Sequence, residues 1–280
     1  MSRREPSAAL SRSHNGSGSQ TAGTWCSADD RPPPRDRDER AGSDAPVLIG
    51  LAHGSRHAGV AAATDAVLAA TGELAVVEVR AAYLDLTEPD LGTVVADLAV
   101  VGVRAAVVVP LLFTDAFHAQ IDVPAAVSAA AAFSGVDLLL APILGTGDEV
   151  ADVVVNRLAA AGTAAEEPVL LYAVGSSRAA ANAAVADLAD RLANRRQAEV
   201  RVGFATTEPR AGEVLSDLVA LGARTGTVVP LFVGPGLLLE TIAATVADAG
   251  WRLADPLGTL LAPVLAQRYR AAVGATRQLR

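Results

Sequence analysis

An internal repeat is the feature that most constrains how this chain can fold. Segments from one half return in the other about 120 residues later, in the same order. A sequence that repeats at this period predicts two similar structural halves packed against each other. The matched pairs are 47–56 (VLIGLAHGSR) with 169–178 (VLLYAVGSSR), 87–89 with 207–209 (both TEP), 107–113 (VVVPLLF) with 227–233 (TVVPLFV), and 140–146 (LAPILGT) with 253–259 (LADPLGT).

The two copies differ in their histidines. His53 of the first copy aligns with Val174 of the second, and His118 aligns near Leu238. A duplicated scaffold in which one copy has lost its imidazoles predicts a single chemical site at a pseudo-twofold interface.

Short apolar runs alternate with helix-length segments along the body of the chain. Several runs are continuous Val, Leu and Ile, which is typical of parallel strands buried on both faces. Strands alternating with helices of this length predict right-handed βαβ units, and hence an α/β fold of two similar, doubly wound domains with parallel sheets of about four strands. The predicted strands are 46–52, 75–84, 105–112, 137–143, 168–174, 199–205, 226–233 and 251–256.

The chain divides into three predicted regions. Residues 1–45 are rich in Ser, Gly, Arg, Asp and Pro, and so are expected to form a disordered tail, although an upstream start-codon artefact would look the same. Residues 46–162 form the domain that carries the histidines. Residues 163–280 form the degenerate repeat domain that completes a cleft.

Composition excludes several classes of protein. The formal net charge is −8 and the pI is about 5.0, which disfavours nucleic-acid binding because that needs a basic face. Cys26 is the only cysteine, so neither an internal disulfide nor a CxxC metal site is expected.

No apolar stretch reaches the length of a membrane span, and no signal-peptide pattern opens the chain, so a cytoplasmic protein is expected. Neither a GxGxxG nor a GxxxxGK[ST] motif supports a nucleotide cofactor.

The histidines follow two strands of the same predicted sheet. His53 ends the first strand, and His118 follows the third. Ligands of such sheets bind at the carboxyl ends of the strands, where Asp85 also lies after the second strand. Two neutral imidazoles meeting there suit Fe(II), Co(II), Ni(II) or Zn(II). Glu88 recurs in the copy without histidines and is therefore interpreted as a helix-start residue.

The turn after His53 has its own predicted features. Gly54 permits a tight turn from strand to helix, and Ser55 is a candidate N-cap. The exposed amides there would favour an anion such as a carboxylate. His57 is interpreted as a solvated residue of the first helical turn.

Four motifs together resemble the sirohydrochlorin chelatases of CbiX/SirB type, which are class II chelatases. The likeness covers about residues 46–275, with the second half as the degenerate repeat. The motifs are 51–56 (LAHGSR), 83–89 (YLDLTEP), 108–118 (VVPLLFTDAFH) and 122–124 (DVP).

The resemblance implies insertion of a divalent metal, Fe²⁺ for siroheme or Co²⁺ for cobalamin, into a tetrapyrrole. It places the family's metal-binding histidines at His53 and His118, which would also accept pyrrole protons. The family usually has Glu where this chain has Asp85, and the shorter side chain would orient an imidazole or relay protons. It further implies a monomer whose two halves form the cleft that shorter members make by dimerising.

The tetrapyrrole substrate implies a site for carboxylates on both sides of the cleft. Arg56 and the Ser55 turn would supply one side, and Ser176 and Arg178 the other.

Two other functions fit the same residues. A metal-binding or metal-delivery protein on this fold would use the histidine pair without catalysis, and metal-free tetrapyrrole binding would separate the two. A flavodoxin-like binder of small ligands is the third interpretation, but it leaves the histidine pair unexplained.

Overall fold

Eight short strands form two parallel sheets, which confirms the predicted α/β class. The computed structural model describes residues 45–278 of the chain. The sheets have the same topology, with strand orders β2-β1-β3-β4 and β6-β5-β7-β8. The strands are β1 (Val47–Ala52), β2 (Val79–Tyr83), β3 (Ala105–Pro110), β4 (Asp137–Leu140), β5 (Val169–Ala173), β6 (Val200–Phe204), β7 (Thr227–Pro230) and β8 (Arg252–Leu253).

A helix follows each strand. The helices are α1 (Val60–Ala75), α2 (Leu91–Val100), α3 (Val123–Ser134), α4 (Asp148–Ala160), α5 (Ala179–Arg196), α6 (Ala211–Ala220), α7 (Leu237–Asp248) and α8 (Ala262–Gln278). The largest departure from the predicted strand boundaries is at β2, which begins four residues later than expected. The apolar run there starts inside α1, which ends only where Val76 adopts a left-handed conformation at φ 57°.

Each sheet is covered on both faces. Helices α2 and α3 pack on the outer face of the first sheet, and α6 and α7 pack on the outer face of the second. The inner faces share one hydrophobic core that draws on both repeats. This arrangement explains why the central strands are apolar along their whole length: all six residues of β1 and all five of β5 are buried.

The last helix of each repeat packs on the sheet of the other repeat. Helix α4 ends the first repeat but lies against α5 and β7. Helix α8 ends the second repeat but lies against α1, β3 and β4. The repeats therefore exchange their terminal helices, and residues 45–278 belong to one compact unit.

An arginine on each exchanged helix holds a backbone carbonyl of the opposite repeat. In α4, Arg157 Nη2 donates to the carbonyl of Leu257 at 3.0 Å. In α8, Arg268 Nη2 donates to the carbonyl of Leu144 at 2.6 Å. Both leucines are fully buried and occupy the same place in the repeat. The exchange is therefore pseudo-symmetric in its hydrogen bonds as well as in its helices.

Two predictions about the chain's organisation stay predictions. The domain boundaries at 46–162 and 163–280 follow the sequence repeat, whereas the helix exchange distributes each packed layer over both ranges. The predicted disordered tail, residues 1–45, lies outside the described residues except for its last position. In the part of the chain that the structure describes, no helix has the length and apolarity needed to cross a membrane.

We expect Leu265→Ala to destabilise the whole described body, because Leu265 of α8 is fully buried in the shared core. Removing a buried leucine side chain costs about 2–5 kcal/mol of unfolding free energy. Chemical denaturation measures the loss, with a single transition for both repeats. Leu221→Ala is the control, since Leu221 is 72% exposed. Equal effects of the two changes would contradict the shared-core description.

Candidate metal centre

His53 and His118 meet at the carboxyl edge of the first sheet. His53 follows the last residue of β1, and His118 opens a π-helical turn, His118–Asp122, that precedes α3. Their Nε2 atoms lie 3.2 Å apart, and the rings stand edge to face with centroids 4.4 Å apart. Residues 65 positions apart in the sequence are thus brought into direct contact. π-Helical turns of this kind occur frequently at functional sites.

Asp122 orients the imidazole of His118. Its Oδ2 lies 2.6 Å from Nδ1 of His118. An ionised carboxylate can only accept hydrogen bonds, so Nδ1 carries the proton and the Nε2 lone pair points toward His53. Carboxylate partners of this type fix the tautomer of metal-binding histidines. In the sequence Asp122 stands out only as part of the 122–124 motif, although its spacing of four residues from His118 is a usable signal.

The separation of the two Nε2 atoms suits a shared metal ion. Imidazole nitrogens bind first-row divalent metals at about 2.1 Å. Two such bonds spanning the 3.2 Å between the Nε2 atoms enclose an angle of about 100° at the metal. That angle lies between the values of octahedral and tetrahedral coordination, so a metal fits between the rings without moving them far.

The pair provides two ligands and leaves the other coordination positions open. Within residues 45–278 there is no group of three or more His, Cys, Asp or Glu side chains placed to hold a metal. Closed sets of four protein ligands are typical of structural sites, whereas open positions are typical of sites where the metal reacts.

Asp85 lies at the same edge, but its carboxylate is engaged with its own loop. Its backbone N–H donates to the carbonyl of His53 at 2.9 Å, and its Oδ1 accepts from the N–H of Leu86 at 2.8 Å. In the described part of the chain neither Asp85 oxygen is hydrogen-bonded to a histidine. Asp85 was expected to orient an imidazole. For His118, that role belongs to Asp122.

The turn after His53 is locked to the loop that follows β2. Gly54 has φ 94°, and a Cβ there would lie 1.8 Å from the carbonyl oxygen of Asp85. Ser55 N–H donates to Thr87 Oγ1 at 3.0 Å, and the same hydroxyl donates back to the carbonyl of Ser55 at 3.0 Å. Glycine is therefore required at position 54, as predicted, and the backbone beside His53 is held rigidly.

The N-cap interpretation of Ser55 is wrong. Helix α1 begins at Val60, and its capping residue is Gly59. Ser55 Oγ instead accepts from the N–H of His57 at 3.1 Å, which closes a serine turn before the helix. Because the amides of Ser55 and His57 already have partners, this turn offers fewer free donors to an anion than the sequence suggested.

The carboxyl edges of the two sheets face each other and are joined by a pair of equivalent contacts, which we call the cross-repeat ties. In one, His57 Nε2 lies 3.2 Å from Glu240 Oε1 of α7. In the other, Arg178 donates to Oε1 of Gln120 in the π-helical turn. His57 and Arg178 occupy equivalent positions after their strands, since the N–H of each donates to the serine two residues before it.

The solvated-residue interpretation of His57 is therefore wrong. Its side chain is 22% exposed and both ring nitrogens are engaged. Nδ1 accepts from the N–H of Gly59 at 3.0 Å, so Nε2 carries the proton that faces Glu240. A histidine with both nitrogens engaged is not available to bind a metal.

The remaining predicted substrate-binding residues differ in how free they are. Arg56 is exposed and forms no ion pair within the described residues. Ser176 is engaged, because its N–H donates to Asn182 Oδ1 at 2.9 Å and its Oγ accepts from the N–H of Arg178. Arg178 reaches across the cleft to Gln120, two residues from His118.

Five large apolar side chains stand on the segments that carry the histidine pair and at equivalent positions of the second repeat, and they are about half exposed, between 43% and 54%. One follows Asp85, one precedes His118, one lies in the π-helical turn, and two occupy the second-repeat positions equivalent to His53 and to the residue before His118. We call this set the apolar rim. It consists of Leu86, Phe117, Ile121, Val174 and Leu237.

The second repeat has structural contacts at the positions equivalent to the histidine pair. Its counterpart of the π-helical turn is regular α-helix from Leu237. The hydroxyl of Tyr172 donates to the carbonyl of Leu238 at 2.8 Å, and burial raises the pKa of this hydroxyl, which keeps it a donor. The site is therefore asymmetric in backbone as well as in side chains.

A protein-family model matches both repeats of the chain. The model is described as CbiX, and it matches residues 47–161 and again residues 168–272. No curated protein matches the sequence.

Solved structures share the fold over most of the chain. SirB from Bacillus subtilis with Fe³⁺ is 24% identical with a TM-score of 0.72, covering 84% of this chain and 98% of that chain. SirB from the subspecies spizizenii in complex with cobalt is 24% identical with a TM-score of 0.69, covering 84% and 97%. CbiX, described as the terminal enzyme for biosynthesis of siroheme in denitrifying bacteria, is 21% identical with a TM-score of 0.61, covering 81% and 99%.

We expect Asp122→Ala to weaken Co²⁺ binding about 10- to 100-fold, because His118 loses the partner that fixes its tautomer and orientation. Asp122→Asn should lose less, since the amide oxygen still accepts from Nδ1. Titration with Co²⁺ alone measures both. Asp97→Asn, on the exposed side of α2, is the control for loss of one negative charge. Wild-type affinity in Asp122→Ala would show that the carboxylate does not act on the metal site.

Proposed function

The chain belongs to the CbiX family, and from this premise we propose that it is a sirohydrochlorin chelatase that inserts Fe²⁺ or Co²⁺ into the macrocycle. The observation that carries the proposal is the pair of opposed Nε2 atoms, 3.2 Å apart at the carboxyl edge of the first sheet. Both residues stand in the stretches where the family resemblance places its metal-binding histidines.

The open coordination of the pair supports a metal that is a substrate. A chelatase must take up the ion and then release it to the macrocycle, so it cannot enclose it. Two imidazoles leave several positions for water and for pyrrole nitrogens. A nitrogen pair accepts both Fe²⁺ and Co²⁺, so these two ligands alone do not select one of them.

The histidine pair can also accept and transfer protons. Without metal, the proton on His53 Nε2 is donated to the lone pair of His118 Nε2, which Asp122 keeps free. The space between the two nitrogens therefore holds either one proton or one metal ion. As the metal passes to the macrocycle, two pyrrole N–H bonds break. His53 Nε2 and His118 Nε2, whose lone pairs are freed as the metal leaves, each take one of these protons and release it to solvent.

Arginine at the cleft counters an unfavourable overall charge. The chain carries a formal net charge of −8, and sirohydrochlorin bears multiple carboxylates. Long-range attraction cannot bring them together, so local cations must hold the substrate. Arg56 is the exposed cation nearest to His53 in the sequence, and its fork can bind a carboxylate through two hydrogen bonds.

The cross-repeat ties support a cleft formed within one chain. We expect the protein to act as a cytoplasmic monomer, because the second repeat supplies the wall that a partner subunit would otherwise provide. A metal-delivery protein would share the histidine pair but would not need to bind the metal-free macrocycle, which makes that binding the discriminating measurement.

We expect His53→Ala and His118→Ala each to lose about 10²- to 10⁴-fold in metal insertion, since each removes both a ligand and a proton acceptor. Stability should change by roughly 1 kcal/mol or less, because both side chains line the cleft and contribute little to the core. The assay is anaerobic incubation with sirohydrochlorin and Fe²⁺ or Co²⁺, followed by absorbance of the macrocycle.

His57→Ala is the matched control for these two variants. It removes the same side chain from the same cleft, but from a residue whose nitrogens both have protein partners. We expect it to keep turnover within a few-fold of the wild type. Wild-type insertion rates in both His53→Ala and His118→Ala would overturn the proposed site.

We expect Arg56→Ala to raise the Kd for metal-free sirohydrochlorin about tenfold at low salt, because a charge-assisted hydrogen bond to a carboxylate is lost. The difference from the wild type should shrink as salt screens the exposed contact. Arg80→Ala, at an exposed position of β2, is the control. Equal affinities of Arg56→Ala and the wild type at low salt would remove Arg56 from the substrate site.

A further inference from the structure

Leu86 is an insertion found only in the repeat that carries the histidines. Asp85 and Thr206 are equivalent. The N–H of Asp85 donates to the carbonyl of His53, which directly follows β1, and the N–H of Thr206 donates to the carbonyl of Val174, which directly follows β5. Two residues, Leu86 and Thr87, separate Asp85 from the next Glu-Pro pair, whereas Thr207 alone follows Thr206. The first repeat therefore has one extra residue at this point.

The inserted leucine has an unfavourable backbone conformation. Its φ is 62°, in the left-handed region that residues with a Cβ rarely adopt. Only three non-glycine residues have a positive φ within residues 45–278, and the other two, Val76 and Gln197, are the C-caps of helices. A left-handed C-cap is a common way to end a helix, but Leu86 ends none. Strain of this kind is typical of functional sites.

The surrounding loop holds Leu86 in place. The N–H of Leu86 donates to Asp85 Oδ1, and the N–H of Thr87 donates to the carbonyl of Asp85 at 2.8 Å. Thr87 is in turn joined in both directions to Ser55. These hydrogen bonds lie on both sides of Leu86 and support its left-handed backbone conformation.

That side chain is exposed beside the metal site. Leu86 is 47% exposed and therefore gains little from the core. It follows Asp85, which is hydrogen-bonded to His53, and consecutive Cα atoms are only about 3.8 Å apart. A macrocycle that takes a metal from His53 must come within bonding distance of that metal, and so must lie close to this loop.

We propose that Leu86 is a specificity-determining residue that contacts the flat face of the tetrapyrrole and sets its position over the histidine pair. The proposal rests on the proposed function and deepens it. The macrocycle is apolar on its faces and charged at its periphery, which matches an apolar side chain beside the metal and Arg56 further out. Burial of the exposed leucine against the ring removes water from both surfaces and so favours binding.

The contact also explains why the strain is retained in this repeat alone. An exposed leucine in a left-handed conformation gives the free protein no benefit that glycine or asparagine would not give. The second repeat, which has no imidazole at the equivalent edge, does without the extra residue. The rest of the apolar rim is available to the same ring, but only Leu86 has a backbone that is costly to maintain.

Binding of metal-free sirohydrochlorin tests the proposal in Leu86→Gly and Leu86→Ala, with Co²⁺ titration as a second readout. Glycine relieves the left-handed strain and alanine keeps it, so their common effect is loss of the apolar contact. We expect the Kd for the macrocycle to rise about tenfold in both, as for loss of a half-exposed leucine contact. Co²⁺ affinity should be unchanged, because neither histidine is altered, and Leu86→Met should bind the macrocycle like the wild type.

Val76→Gly is the matched control, since Val76 also has a positive φ, is 81% exposed and lies at the far end of α1. It should bind both ligands like the wild type. Unchanged macrocycle binding in Leu86→Ala and Leu86→Gly, or weaker binding in the glycine variant only, would overturn the direct contact. Weakening of Co²⁺ binding in parallel would overturn it too, because Leu86 would then act through His53. Absence of macrocycle binding by the wild type would refute the proposed function itself.

Discussion

The exchange of α4 and α8 between the repeats is the constraint on which the rest of the structure depends. Each helix completes the inner layer of the opposite sheet, and each is held there by an arginine that binds a buried carbonyl. The two sheets share one core in consequence, and their carboxyl edges are kept facing each other. The cross-repeat ties depend on this orientation, and they join the second repeat to the edge that carries the histidines.

Within this near-symmetric frame, every departure from symmetry at the cleft favours the first repeat as the reacting half. The histidine pair, the π-helical turn with Asp122 and the inserted Leu86 all occur there. The second repeat has Val174 and a regular helix at the matching places, and Thr207 follows Thr206 directly with no inserted residue. In the proposed function one repeat carries the chemistry, and the other contributes a cross-repeat hydrogen bond to the turn that carries His118.

Sequence reasoning predicted the sheets and the histidine pair because both depend on strong, local signals. Continuous apolar strands are readable in isolation, and residues that end neighbouring parallel strands must meet at one edge. The partners of those residues were harder to predict. Ser55 looked like a helix cap, but the helix starts later because the serine closes a turn of its own. His57 looked solvated because Glu240, its partner, lies in the other repeat.

The helix exchange left no signal in the sequence at all. Repeat boundaries follow the order of the chain, not its packing, so they do not show which sheet α4 covers. Arg157 and Arg268 hold the exchanged helices through the carbonyls of Leu257 and Leu144, and a backbone carbonyl carries no residue identity. Asp122 is the opposite case, since its position four residues after His118 on a helical segment could have been read in advance.

Helix exchange also determines the physical role of the covalent link between the repeats. The segment around Gly162 joins two halves that already hold each other by a helix in each direction. Cutting it would leave two fragments whose complementary surfaces are unaltered, and the intact link would then amount to a high effective concentration of one half near the other. The covalent link keeps the two halves together in dilute solution, whereas the side chains of the shared core make their association specific.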